Sequence, residues 1–518
     1  MSADGGRVEP PAVEELAPLA RLDGIELSPG EDAELWPVVA SLTQFADLLD
    51  RFEEELPVRA PEGRDPGFVP EPADNPCNAF VRRCYVQEAS TGALAGRTVG
   101  LKDNISLAGV PTTNGSHVRS YLPVYDAVVV ERILAAAGTI VGKLNMDDFG
   151  ASGLGDTSAF GPARNPVDQT RSAGGSSGGS GAAVRSGAAD MSLAVDQGGS
   201  GRIPAAFCGV VAMKATHGLV PSWGISHIDH TIDFITPITR TVADAALLLG
   251  VIAGEDWRDA QWVRGPIEVD DYAAAAGEGI EGLRLGLVTE SFDPEVCEPD
   301  VIENGRRAAE TLARAGAVVE ETSIPLWAHA LSVFLPYVAH LFSDVYRAGG
   351  QGFGHLGAFD VPAFETFSRL RQHEGALLPD QVKAWILADR YVHERYQAIP
   401  YARLHNARLA VRRAISDALE SFDALLTPTL PITAPPLLTG EASFAEISAR
   451  TGAKLCYNTA PLNLSGHPAM SLPSGVSREG LPTALQVVTR HFDERTGFRV
   501  GFALERETGP FVPQAEGT

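Results

Sequence analysis

The chain has 518 residues, with 41 basic and 66 acidic side chains and a formal net charge of −25. This charge argues against binding a phosphate backbone or an anionic membrane, because both favour basic faces. The sequence contains neither an apolar run of about 18 residues nor an N-terminal signal sequence, so we expect a cytoplasmic protein with no membrane and no nucleic-acid partner.

Residues 1–88 are predicted to form an N-terminal helical extension followed by a connecting loop. Apolar residues recur at helical spacing from Leu35 to Phe52, whereas residues 57–76 are rich in proline and lack periodicity. An appended apolar helix face often serves dimerisation, so the N-terminal helices are a candidate homodimer contact. Packing of these helices on the chain's own domain is an equal alternative.

From about residue 96 the pattern becomes that of an α/β domain. Helix–glycine–strand units occur at 126–141 and 301–320, and residues 494–507 predict a closing helix. Further strands are predicted at 97–101, 191–195, 283–288, 424–427, 469–472 and 484–488. Such units build a sheet covered by helices on both faces. The aromatic-rich residues 325–405 show no clear strand and predict a helical insertion over one side of this sheet.

Two Gly/Ser-rich segments carry the strongest chemical signal. Ser172–Gly181 reads SAGGSSGGSG, which by composition alone is typical of a flexible linker, and Asp196–Pro204 reads DQGGSGRIP. The apolar sequence around and between them favours one folded unit instead. Consecutive glycines let several backbone N–H groups converge on an oxyanion, while a serine ending such a loop can attack a carbonyl. The residues that fit this arrangement are Gln197, Gly198, Gly199 and Ser200.

Alternative interpretations of these segments are weaker. A phosphate-binding loop would need a lysine-ended or strand-following glycine motif, and neither occurs. Gly174–Gly178 matches the G-x-S-x-G nucleophile elbow, but the preceding DQTRSA is polar and does not predict the required strand. No histidine is singled out as a base. Lys102, at the end of a predicted strand, could act as one if burial lowers its pKa, although such a lysine is usually a solvated charge.

Taken together, several long segments resemble the amidase signature family. They are GLKDNISLAGVPTTNGS (100–116), GPARNPVDQTRSAGGSSGGSGAAV (161–184), AVDQGGSGRIPAAFCGVVAMKATHGLVPSWG (194–224), FDALLTPTLP (422–431), NTAPLNLSGHPAMSLPSG (458–475) and GLPTALQVVTRHFDERT (480–496). The resemblance covers about residues 90–508. Within the family, the sequence looks most like the bacterial aryl- and alkyl-amide amidases associated with nitrile breakdown. It implies an α/β fold with a large central mixed β-sheet covered by helices on both faces. The expected domains are a catalytic domain at 89–508 and a tail at 509–518.

The resemblance also implies roles for individual residues. Ser200 falls on the nucleophile, Ser176 on a bridging serine that the family holds through a cis peptide, and Lys102 on the general base. The N–H groups of Gln197, Gly198, Gly199 and Ser200 would form the oxyanion hole. Asp196 and Arg202 are expected to pair and fix the loop, with the alternative that Arg202 grips a substrate carboxylate. No metal and no organic cofactor is implied.

The substrate pocket is less well specified. Phe149, Ser152 and Trp223 lie in segments that border substrate in related enzymes. Gly201, Ala215 and Ala484 depart from the residues usual in the family and leave the pocket shape open. Residues 227–230 (HIDH) could be taken for part of a metal site, but they lack a third well-placed ligand.

We therefore predict an amidase that hydrolyses a small or aryl-substituted carboxamide to the acid plus ammonia or amine, with this small molecule as its partner. One alternative is the A subunit of a tRNA-dependent amidotransferase, which residues 143–150 (KLNMDDFG) also resemble, although the long N-terminal extension and the D-Q-G-G-S sequence argue against it. Hydrolysis of hydrazides, carbamates or esters is a close variant. A non-catalytic scaffold is a further alternative, which the intact Lys102, Ser176 and Ser200 argue against.

Overall fold

The computed structural model of the protein describes residues 9–43, 63–118, 120–259, 267–352, 357–438, 443, 445–446, 454–509 and 511. The chain divides into two units, Met1–Val58 and Arg59–Thr518. In the first unit, α1 spans Val13–Leu22 and α2 spans Glu31–Thr43, and Trp36 Nε1 donates to Pro11 O at 2.7 Å. The part of the predicted helical pattern beyond Thr43 lies outside the described residues.

The second unit is built on one sheet of 11 strands. The strands are β1 Phe80–Val86, β2 Thr98–Lys102, β3 Thr139–Leu144, β4 Met191–Asp196, β5 Val211–Lys214, β6 Phe234–Thr239, β7 Arg284–Val288, β8 Val318–Thr322, β9 Ala424–Pro428, β10 Ala469–Val476 and β11 Pro482–Thr489. Their order across the sheet is β1-β3-β2-β4-β6-β5-β10-β11-β9-β7-β8. The sheet is mixed: β2 is parallel to β3 and β4, and β7 to β8 and β9, whereas the other pairs are antiparallel.

Helices cover the sheet. They are α3 Val128–Ala135, α4 Gly178–Arg185, α5 Arg202–Cys208, α6 Val242–Ile252, α7 Pro299–Arg314, α8 Trp327–Arg347, α9 Val361–His373, α10 Asp380–Tyr396, α11 Ile399–Ser421, α12 Ala460–Ser465 and α13 Glu494–Thr508. Leu425 and Leu426 of β9 point to opposite faces and belong to two different buried apolar clusters, so both faces carry a core. The predicted fold class, an α/β domain with a large mixed sheet, is confirmed.

The sequence analysis did not predict three of the strands, namely β1, β5 and β6. Strand β6 illustrates the reason. β6 contains Pro237, and a proline normally argues against a strand inside a sheet. Here β6 lies between β4 and β5, and its residues are all buried. Helices α8 to α11 occupy the region that was predicted as a helical insertion at 325–405. The predicted domain boundaries stay predictions.

Helix length and cysteine chemistry bear on the cellular setting. No described helix is both long and apolar enough to cross a bilayer. The five cysteines all lie within the described residues and form no disulfide. The cytoplasmic location stays a prediction.

Candidate active site

Lys102 ends β2 and is fully buried. Its Nζ lies 2.8 Å from Ser176 Oγ and donates to Val195 O at 2.9 Å. Val195 is close because β4 runs parallel to β2, so the C-terminal ends of the two strands meet at one edge of the sheet. The structure thus brings together two of the three predicted catalytic residues.

The electrostatic setting of Lys102 makes it suitable as a base. Burial lowers the pKa of Lys102 to about 7, while the carboxylates of Asp147, Asp196 and Asp233 oppose this shift. Within the described residues Lys102 has no salt bridge. Lys143 is equally buried but lies 3.4 Å from Asp103 Oδ1, an ion pair that favours its charged form. Lys102 therefore combines a pKa near neutrality with direct contact to a serine hydroxyl.

Ser176 is held by the chain around it. The Gly175–Ser176 peptide is cis, the form that the resemblance implies for this serine. The N–H of Asp147 donates to Ser176 O at 3.0 Å, and a β-carbon on Gly175 would overlap the Asp147 carboxylate. The neighbouring Ser177 instead donates its N–H to Ser200 O at 3.3 Å. Sequence reasoning alone could not separate the two serines, whereas the lysine contact does.

Ser200 lies in the turn between β4 and α5, with 7% of its surface exposed. The structure departs from the predicted oxyanion hole at Gly199, whose N–H donates to Asp196 Oδ1 at 2.8 Å. That group is already engaged in holding the turn. The N–H groups of Gln197, Gly198 and Ser200 have no acceptor within the described chain, so three of the four predicted donors remain free to bind an oxyanion.

The predicted Asp196–Arg202 pair is present and fully buried, at 3.0 Å. Burial would raise the pKa of the Asp196 carboxyl, but the Arg202 charge and its hydrogen bonds hold it far below its usual range. Arg202 also donates to Thr459 O, Gln486 Oε1 and Asn463 Oδ1. With its guanidinium enclosed in this way, Arg202 fixes the turn and leaves no room for the alternative role of gripping substrate.

The three predicted pocket residues differ in their placement. Phe149 is buried against Phe342 and Phe367, and the adjoining Gly150 lies beside Ser176. The Ser152 hydroxyl lies 3.4 Å from Asp156 Oδ1, which does not connect it to the catalytic residues. Trp223 packs in a separate cluster with Tyr125 and Val128, and its Nε1 donates to Ala358 O at 2.7 Å. These contacts direct Trp223 away from the triad, and we leave it out of the proposed pocket.

The loop at residues 227–233 is organised by Asp233. This carboxylate accepts the N–H groups of Ile228 and Asp229 and lies 2.9 Å from His227 Nδ1. Burial raises the pKa of Asp233 to about 7, and its charge in turn reaches Lys102. Across the described residues, no group of three or more histidine, cysteine or acidic side chains is arranged to hold a metal ion.

Two side chains pack on the nucleophile turn: Phe334, which the sequence favours as a core residue over a substrate-lining one, and Thr236, which the sequence analysis did not single out. Phe334 of α8 packs on Gly198, where an added β-carbon would lie 2.6 Å from Phe334 Cζ. Thr236 of β6 fills the space beside Gly201, where an added β-carbon would lie 2.7 Å from Thr236 Cγ2. Gly201 therefore does not open room beside the nucleophile, because the missing side chain is replaced from another strand. The aromatic pattern of α8 signalled a buried helix face, but nothing in the sequence indicated its neighbour.

Residues 80–497 match the family model for amidases. The chain belongs to the amidase family. The A subunit of the glutamyl-tRNA(Gln) amidotransferase from Haloarcula marismortui is 39% identical over 82% of this chain and 99% of its own length. An enantioselective amidase from Rhodococcus rhodochrous is 37% identical over 94% of both chains. The crystal structure of a glutamyl-tRNA(Gln) amidotransferase A subunit from Thermotoga maritima is similar to this one, with a TM-score of 0.70 and 32% identity. The match covers 84% of this chain and 89% of that chain.

Family membership confirms the resemblance and makes this chain an enzyme that acts on amides. The relatives also correct one expectation. Proteins named for a tRNA-dependent reaction share this much sequence, so the exclusion of a nucleic-acid partner is wrong. The net charge of −25 argues only against direct contact between this chain and phosphate groups. A protein can be one component of a nucleic-acid-dependent assembly without making that contact itself.

Proposed function

We propose that this protein releases ammonia from a carboxamide through an acyl-enzyme on Ser200, as the A subunit of a tRNA-dependent amidotransferase. The observation that carries the chemistry is the buried contact between Lys102 Nζ and Ser176 Oγ beside the Ser200 turn. Support for the assembly comes from the H. marismortui relative, which this chain matches over 99% of that protein's length. The T. maritima protein supports it through the shared fold and 32% identity.

In the first half of the reaction, neutral Lys102 takes a proton from Ser176, which takes the proton of Ser200. The Ser200 oxygen attacks the amide carbonyl carbon, and the free N–H groups of Gln197, Gly198 and Ser200 bind the oxyanion. Each such donor contributes about 3–4 kcal/mol of transition-state stabilisation.

In the second half, the C–N bond breaks and the proton returns from Lys102 through Ser176 to the departing nitrogen, which leaves as ammonia. The acyl group is then bonded to Ser200. Water attacks this ester with the same base assistance, releases the acid and restores the Ser200 hydroxyl. The proton that leaves on ammonia comes from Ser200, the proton that restores Ser200 comes from water, and water is the only co-reactant.

A second candidate is a stand-alone amidase for a small or aryl-substituted carboxamide, giving the acid plus ammonia or amine. One specific observation favours it. The R. rhodochrous amidase is 37% identical and matches over 94% of this chain and 94% of its own length. Hydrazides, carbamates and esters are variants of this candidate, since the same acyl-enzyme can form from each.

The two candidates differ in whether activity needs partner subunits. We would assay ammonia release from glutamine and from a panel of aliphatic and aryl amides, using the purified chain alone and the chain co-expressed with the other subunits of the source organism's amidotransferase. Glutamine turnover only in the co-expressed complex supports the proposal. Amide turnover by the chain alone, with no subunits co-purifying, favours the stand-alone amidase.

The catalytic assignment has its own control. Ser200→Ala and Ser176→Ala should abolish turnover of whichever amide the wild-type protein accepts. Ser177→Ala is the matched control, since this buried serine adjoins Ser176 without contacting Lys102, and it should retain activity. Equal losses in Ser176→Ala and Ser177→Ala would contradict the bridging role of Ser176.

A further inference from the structure

Asp233 is a buried carboxyl group near the catalytic residues that takes no part in the proton transfers described above. It lies directly before β6, whose first residue, Phe234, pairs with Asp196 at the end of β4. Continuing this antiparallel register by one residue brings Asp233 opposite Gln197. Gln197 is the first residue of the oxyanion loop, Gln197–Ser200. The backbone therefore places Asp233 at the edge of the sheet where the reaction takes place.

The two carboxyl oxygens of Asp233 have different surroundings. Oδ2 accepts the N–H groups of Ile228 and Asp229 at 3.0 and 3.2 Å, and it lies 2.9 Å from His227 Nδ1. Oδ1 is completely enclosed and receives no hydrogen bond from the backbone of the described residues. The side-chain amide of Gln197 lies close enough to this carboxyl to favour its charged form and lower its pKa, against the larger effect of burial. Oδ2 thus anchors the carboxyl in its loop and leaves Oδ1 available to Gln197.

The side chain of Gln197 depends on this contact. Gln197 is 4% exposed, and its Oε1 makes no hydrogen bond within the described part of the chain. The Asp233 carboxyl is therefore the polar group that holds this side chain. The backbone N–H of the same residue is one of the three groups free to bind the oxyanion, and such donors are effective only when they are fixed in advance. Asp233 can thus influence the transition state through Gln197.

A second influence of Asp233 is electrostatic. The strand order β2-β4-β6 places Lys102, at the end of β2, and Asp233, just before β6, on the two sides of β4. Lys102 Nζ already contacts β4 through Val195 O, so the amine lies beside the strand next to β6. The carboxylates that favour the charged form of this amine are Asp147, Asp196 and Asp233. The titratable groups around Asp233 itself are His227, Asp229 and His230 of its own loop, together with Lys102.

We propose that Asp233 is a positioning residue for the reaction at Ser200, acting on the oxyanion loop through Gln197 and on Lys102 through its charge. The proposal rests on the acyl-enzyme at Ser200 proposed above, and it holds for whichever amide is the substrate. Asp233→Asn keeps the shape of the side chain but removes its charge. The proton affinity of Lys102 should then fall, because one of the three carboxylates that favour its charged form is lost. A residue that only stabilised the fold would lower the rate without moving its pH dependence.

Covalent labelling of Ser200 by phenylmethanesulfonyl fluoride, followed by mass spectrometry of the intact protein, tests this inference without a known substrate. The Ser200 oxygen bonds to sulfur, fluoride leaves, and the serine proton passes through Ser176 to Lys102, so Ser200→Ala should not be labelled. The labelling rate of wild type should fall at acid pH as Lys102 becomes protonated. In Asp233→Asn the midpoint of this fall should move to lower pH by about 0.5–1 unit, and the rate at high pH should drop about tenfold. Gln197→Met keeps the backbone N–H and should show the drop in rate with little movement of the midpoint.

Asp229→Asn is the matched control, because it makes the same change in the same loop and Asp229 is not among the charges that act on Lys102. Its midpoint should stay at the wild-type value. An unmoved midpoint in Asp233→Asn, an equal movement in Asp229→Asn, or a wild-type protein that is not labelled at Ser200 would each overturn the proposal. Should Asp233→Asn fail to fold, a Gln197→Met rate equal to wild type would overturn it instead.

The labelling experiment and the amide assay can fail independently. A protein that is labelled at Ser200 with the expected pH shift, but releases ammonia from no amide, would refute the proposed function and leave the role of Asp233 standing. Amide turnover with an unmoved midpoint in Asp233→Asn would do the reverse.

Discussion

The Asp196–Arg202 pair offers the sharpest test of how the nucleophile turn is held. Replacing Arg202 by methionine keeps the length of the side chain but removes its charge and donors. The change leaves the Asp196 carboxylate without its counter-charge and removes a donor from Thr459 O, Gln486 Oε1 and Asn463 Oδ1, all of them in fully buried residues. We expect this variant to lose both stability and activity, because the same carboxylate also accepts the N–H groups that shape the turn.

The size of the loss follows from the burial of both partners. Removing one partner of a buried ion pair costs about 3–5 kcal/mol, since the other charge is left uncompensated. Asp196→Asn should cost a similar amount for the same reason. The double variant should then cost little more than either single change. The resulting coupling energy is about 3 kcal/mol, at the upper end for residues in contact.

Urea unfolding followed by circular dichroism would measure all four proteins of this cycle. Arg202→Lys serves as a milder variant that keeps the charge but not the planar fork, and it should lie between wild type and Arg202→Met. Additive losses would refute the argument, because they would mean that the two side chains act independently. If Arg202→Met had normal stability but a raised KM for carboxylate-bearing amides, Arg202 would instead be assigned to substrate binding.

The value of kcat/KM should fall about tenfold per pH unit below pH 7, because the pKa of Lys102 is about 7 and only its neutral form accepts a proton. A flat pH–rate profile down to about pH 5 would exclude Lys102 as the base. Gly201→Ala should cost about 1–3 kcal/mol in urea unfolding through overlap with Thr236. Thr236→Ala in the same chain should restore part of this loss, and strictly additive effects would contradict the overlap. Gly198→Ala should lower kcat by pressing the oxyanion loop against Phe334. Adding Phe334→Ala should recover activity, and no recovery in a steady-state assay would show that the loop is perturbed in another way.

Local patterns predicted the fold where they were strong. The helix–glycine–strand units correspond to α3 with β3 and to α7 with β8. After α7 the positive φ falls on Gly316, where glycine carries no steric cost, whereas after α3 it falls on Ala137 and not on Gly138. Composition alone is misleading where tertiary packing outweighs it, which is why the sequence analysis favoured a folded unit over a linker at the Gly/Ser segment. Gly178–Gly181 reads as linker but forms the start of α4, where β-carbons on Gly179 and Gly181 would collide with Ala79, Asn145 and Pro204. These glycines allow close packing rather than flexibility, and only the neighbouring elements reveal it.

The candidate site divided in the same way. Lys102, Ser176 and Ser200 were predicted from long motifs, since their spacing along the chain is part of the family pattern. The engagement of the Gly199 N–H with Asp196 and the packing of Thr236 against Gly201 could not be predicted, because each is a contact between separate elements. The same limitation applies to Trp223, whose position depends on Tyr125 rather than on its place in the sequence.

Three buried basic side chains in this domain illustrate how the partners of a buried charge affect its role. Lys143 is neutralised by Asp103 and Arg202 by Asp196, so both serve structure. Lys102 contacts a hydroxyl and a carbonyl instead of a carboxylate, and its pKa falls to where it can exchange a proton with Ser176.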